Sequence, residues 1–143
     1  MIKKKILLSL IILSFTIMLS FSENNEKTKL VIIDFERSYV KKELVKEISV
    51  NFFSSLSIFN HFEIIKRREL KRAMATLKLD DKKEYTKEEV IKIAERTGAR
   101  LALKGTIRRK NFALILYAQL IDCDSNQIIY ENTKTAITKT KLF

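Results

Sequence analysis

Gly98 and Gly105 are the only glycines in a chain without proline, and Arg108, Arg109 and Lys110 follow them closely. A glycine pair beside cations raises the question of a phosphate cradle. A P-loop, however, needs four residues between its glycines and a Lys-Ser or Lys-Thr directly after the second, so that backbone amides and the lysine surround the phosphates. Here the intervening stretch is "ARLALK", and Thr106 and Ile107 follow Gly105. Gly98 also ends a helical pattern, whereas an anion loop opens one, where free N–H groups point outward.

The remaining reactive residue types are equally sparse. His61 is the sole histidine and Cys123 the sole cysteine, so neither a zinc ligand set nor a Cys-His nucleophile pair is supplied. Asp34 with Glu36, and Asp122 with Asp124, lack a partner base, a nucleophile or a metal-binding spacing. Asp80 and Asp81 lie in "DDKKEYTKEE", which has no calcium-loop pattern. No catalytic residue, no metal site and no cofactor are expected, and the chain reads as a non-enzyme.

Cationic clusters are what remains. Lys66, Arg67, Arg68, Lys71 and Arg72 crowd one helix start, and Arg108, Arg109 and Lys110 crowd a hairpin. Of these, Arg67, Arg68, Lys71, Arg72, Arg108, Arg109 and Lys110 are the candidate contacts to a protein partner or an anion. Runs of charge are also ordinary solvated surface, and over the whole chain twenty lysines stand against eight arginines.

The elements that position these clusters follow from periodicity. Residues 1–22 have the layout of a secretory signal, with Lys3, Lys4 and Lys5 preceding an apolar run over 6–22 that ends at small residues. An uncleaved membrane anchor is the alternative. Removal of the segment takes the 28 Lys and Arg to 25 against 17 Asp and Glu, and an acidic surface is a natural neighbour of such a chain. With Cys123 the only cysteine, a lipid anchor at the mature N-terminus is not expected.

Residues 23–29 form a polar tether and 30–139 one α/β domain. "LVIIDF" (30–35) reads as a strand covered on both faces. Residues 39–59 carry Val45, Ile48, Phe52, Leu56 and Phe59 at helical spacing. "HFEIIK" (61–66) is a second strand, and Leu70, Ala73, Met74 and Leu77 mark a second helix. Thr86 and Glu89 form a capping box ahead of Val90, Ile93, Ala94 and Thr97. Gly98 closes that helix, and Gly105 sits on the apolar side of the following strand, where a neighbour approaches closely. Strands over 111–122 and 127–139 complete the order β-α-β-α-α-β-β-β, a mixed sheet with helices packed on it.

In that order, "LVIIDF", "FEIIKRREL", "RTGARLALKGTI" and "LYAQLIDCDSNQII" together resemble the CsgG-like curli-secretion superfamily. LpoB-like activators of penicillin-binding proteins and TolB N-terminal-like periplasmic domains share this core. Arg67 and Leu70 match its Arg-x-x-Leu helix start, Gly98, Ala99 and Gly105 its strand entry, and Asn126 stands where its final hairpin usually has glycine. The extra hairpins of a curli pore are missing.

The resemblance implies an exported, periplasmic protein without a catalytic centre. It would bind another envelope protein as an accessory of secretion or outer-membrane assembly. Activation of a cell-wall synthase and binding of lipopolysaccharide or wall polymer are the alternatives. Copies of the chain itself and a peripheral membrane surface are further partners on this reading, and nucleic acid is not.

Overall fold

The computed structural model describes residues 27–58, 61–80 and 84–137. The expected signal segment, Phe59, Asp81 and residues 138–139 of the last strand lie outside them.

The first strand is split. β1 (Thr28–Ile32) and β2 (Glu36–Ser38) both pair in parallel with β4 (Leu101–Lys110). From Ile32 to Glu36 the chain advances four residues while its partner advances three, Leu103 to Thr106. This extra residue reverses the alternation of faces. Ile33 accordingly joins the core on one side of the sheet and Phe35 the core on the other. "ERS" carries no apolar alternation, so β2 exists through its pairing with β4 and left no mark in the sequence pattern.

Next comes α1 (Lys42–Ile58), followed by β3 (Phe62–Ile64), α2 (Arg67–Thr76) and α3 (Lys87–Thr97). The antiparallel strands β4, β5 (Ala113–Asp122) and β6 (Gln127–Ile137) finish the chain. The sheet order is β3-β1-β4-β5-β6 with β2 beside β4. β6 is therefore an edge strand. The mixed α/β single domain expected from the sequence is what forms, with β2 added.

Helices cover both faces. Val45, Ile48, Phe52 and Leu56 of α1 bury against Leu30, Ile32, Leu103, Ile107 and the even-numbered positions 114–120 of β5. On the reverse face, Leu70 and Met74 of α2 and Val90, Ile93 and Ala94 of α3 meet Val31, Ile33, Ala102 and Ile121. Two layers of helix thus remove β1 from water on both sides, as its unbroken apolar run requires. The hydrophobic burial of these faces drives the assembly.

Both glycines have definite structural causes. Gly98 has φ 73° and ends α3, with the Ala99 N–H donating to the Ala94 carbonyl at 2.9 Å. At the other end of α3, Thr86 and Glu89 form the reciprocal cap. Gly105 carries the Phe35 ring, since a Cβ there would lie 2.2 Å from Phe35 Cε1 and 2.6 Å from the Tyr117 carbonyl oxygen. Phe35 in turn meets Phe52 edge-on, with ring centroids 5.5 Å apart.

The first helix begins at Lys42 rather than at Tyr39, because Tyr39 has φ 58° and cannot continue into a helix. Asn126 adopts φ 57° in the β5–β6 turn, the left-handed conformation anticipated for it.

Replacing Gly105 with alanine should lower stability by about 1 to 3 kcal/mol through overpacking. Gly98→Ala should lose about 1 kcal/mol through its backbone alone. Urea denaturation distinguishes the two causes: Phe35→Leu should recover part of the Gly105→Ala loss and none of the Gly98→Ala loss.

Candidate functional site

Beyond the C-terminal end of β1 the sheet leaves β2 with no outer neighbour, and a groove of about 960 Å³ opens around this edge. Asp34 to Arg37 and Tyr39 to Lys42 line one side of it. Arg67, Asp80 and Tyr85 approach from the α2 and α3 side, and Arg109 from the β4–β5 hairpin.

The carboxylates at the strand end serve the fold. Asp34 accepts two hydrogen bonds from the Arg67 guanidinium, at 2.7 and 2.8 Å, fastening the start of α2 to the end of β1. Both side chains are about half exposed, 49% and 50%, so the pair contributes no more than about 1 kcal/mol. Glu36 accepts from the Tyr85 backbone N–H at 2.8 Å. Lys104 lies 3.6 Å from Glu36 and also donates to the Tyr85 carbonyl, which closes the loop entering α3 onto the sheet.

Tyr85 is buried, its hydroxyl donates to the Leu79 carbonyl, and burial raises its pKa. It is a packing residue rather than an acid. On the sheet surface away from α1, Tyr117 donates to Glu131 at 2.7 Å, which holds that carboxyl below its ordinary pKa. Gln119 completes this small network at 3.4 Å. His61 sits in the turn before β3, as a turn histidine should. Among the described residues, no group of three His, Cys, Asp or Glu side chains converges as metal ligands.

Of the cations singled out from the sequence, Arg67 and Arg109 line the same groove. Arg68, Lys71 and Arg72 are exposed on α2, where with Arg67 they border a separate shallow depression. Arg108 and Lys110 are exposed on β4 at positions of opposite alternation to half-buried Arg109. The two clusters are therefore distributed over several surfaces.

Sequence reasoning missed the contribution of "RSYVKK". Arg37, Lys41, Lys42 and Lys46 join Arg67 and Arg109 in the groove wall, six cations against the carboxylates of Asp34, Glu36 and Asp80. In the sequence Lys41, Lys42 and Lys46 simply fall off the apolar stripe of the helix over 39–59. Only the split strand and the left-handed Tyr39 show that they share a groove with Arg109.

Two measurements check this assignment of structural roles. Cys123 is buried, and desolvation with nearby Asp122 and Asp124 pushes its thiol up to about 11. It should therefore resist alkylation at pH 8 in the folded chain and react readily once denatured. Separately, a double-mutant cycle on Asp34→Asn and Arg67→Gln should give a coupling of about 0.5 to 1 kcal/mol. A much larger value would mean that the pair is a hidden stability centre.

No protein-family model matches the chain, and no curated protein matches its sequence. Solved structures do match its shape. The LpoB C-terminal domain from Salmonella enterica superposes with a TM-score of 0.72 at 18% identity, covering 86% of this chain and 92% of that one. The corresponding domain from Escherichia coli gives 0.70 at 17%, covering 86% and 93%. Lipoprotein GNA1162 from Neisseria meningitidis gives 0.60 at 10%, covering 77% and 80%. The chain shares the fold of the LpoB C-terminal domain along nearly its whole described length.

Proposed function

We propose that this protein is an exported activator of a cell-wall synthase, acting by binding a penicillin-binding protein rather than by chemistry of its own. The observation that carries this reading is the fold likeness to LpoB C-terminal domains, over 86% of this chain and more than nine-tenths of each domain. The ordered motifs agree with it: Arg67 and Leu70 at the start of α2, Gly98 at the end of α3, and Gly105 in β4.

The broader expectation of an envelope protein that works through a protein partner is retained. Its secretion and curli form gains no support from the structural neighbours, and the activator form takes its place. The proposed compartment is the periplasm, with residues 1–22 directing export and 23–29 acting as a tether. Among the described residues no helix is long and apolar enough to cross a membrane.

The surface assigned to the synthase is the outer side of α2, where Arg68, Lys71 and Arg72 stand exposed beside Ala75. Among the described residues, none of these side chains ties two elements together as Arg67 does. Their charge can speed encounter with an acidic partner without being needed for folding.

Added to a synthase from the same cell, the protein should raise its glycan polymerisation or cross-linking rate. Arg68→Glu/Lys71→Glu/Arg72→Glu should abolish the stimulation while leaving the melting temperature nearly unchanged. Failure to stimulate any synthase of that cell would defeat the reading. Full stimulation by the triple variant would defeat the assigned surface alone.

A further inference from the structure

The groove at the β2 edge combines charge with an aromatic side chain held outward. Tyr39 is 87% exposed and has φ 58°, a conformation that bulky side chains avoid. Its neighbours fix it in place. Ser38 belongs to β2 and is paired with Arg108, Val40 is buried, and Arg37 Nη1 donates to the Val40 carbonyl at 3.1 Å. The ring thus projects from a fastened backbone rather than from a loose loop. Asparagine or glycine would satisfy the same backbone without strain, so an exposed tyrosine there invites a functional explanation.

Around that ring, Arg37, Lys41, Lys42 and Lys46 are exposed, and Arg109, whose Nε donates to the Asn111 carbonyl at 3.2 Å, closes the far wall. Arg67 is engaged by Asp34, and Glu36 faces Lys104. The groove therefore keeps an excess of positive charge beside a flat apolar platform. Lysine ammonium groups suit carboxylates or phosphates as point charges. An exposed ring suits the C–H face of a sugar, which offers apolar surface without a hydrophobic core.

We propose that this groove binds an acidic glycan, with a sugar ring against Tyr39 and its carboxylate or phosphate groups on Lys41, Lys42 and Lys46. The aromatic platform favours a glycan over an acidic peptide, since a purely ionic contact has no use for a strained, projecting ring. The site is separate from the α2 surface assigned to the synthase, and glycan binding stands or falls without any synthase present.

The test is equilibrium binding by the full chain at several salt concentrations. The probes are polygalacturonate oligomers, phosphorylated dextran, neutral dextran, and polyglutamate of matched charge. The charged glycans should bind, more weakly as salt rises, and neutral dextran should not. Whichever of the carboxylate and phosphate glycans binds more tightly identifies the source of the anionic group. Tyr39→Asn should weaken glycan binding at least about tenfold with the melting temperature unchanged or raised. Lys41→Gln/Lys42→Gln/Lys46→Gln should weaken it comparably and flatten the salt dependence. Lys92→Gln/Arg96→Gln, on α3 away from the groove, should leave it intact. Absence of glycan binding would overturn the proposal. So would polyglutamate binding as tightly as the glycans with Tyr39→Asn without effect, an outcome that marks a basic surface for acidic protein segments.

Discussion

The seat of Phe35 on Gly105 is the contact on which the rest of the molecule depends. It requires an extra residue between β1 and β2, so that Ile33 and Phe35 enter opposite cores. It also requires a position in β4 with no Cβ. Once Phe35 is placed, Glu36 turns toward Tyr85 and Lys104 while Arg37 and Tyr39 lead into α1. The same local irregularity that completes the hydrophobic packing thus opens the groove at the sheet edge.

Much of this architecture was legible because its causes are local. The helical stripes at Val45–Ile48–Phe52–Leu56 and Val90–Ile93–Ala94, the Thr86–Glu89 cap, and the turn at Asn126 each show within a few residues. The close approach at Gly105 was also legible, since a lone glycine on the apolar side of a strand has few other uses. Its partner was not, because Phe35 lies 70 positions earlier in the chain. β2 escaped for the same reason, its three residues being strand only by virtue of Thr106, Ile107 and Arg108 opposite.

The candidate site was less legible than the fold. Charge runs in the sequence pointed to α2 and to the β4–β5 hairpin as two patches, yet the fold separates Arg108 and Lys110 from Arg109 by strand alternation. It then gathers Arg67 and Arg109 with lysines from the start of α1. Adjacency in sequence is a poor guide to shared surface on a strand. The carboxylates at the strand end, Asp34 and Glu36, are ties between elements.

The proposed partner, a cell-wall synthase, can be sought in the cell itself. In-cell cross-linking of the tagged chain followed by mass spectrometry seeks it most directly. Recovery of a penicillin-binding protein is expected, lost when Arg68, Lys71 and Arg72 are reversed in charge. Recovery of secretion or outer-membrane assembly components with no synthase among them would contradict it.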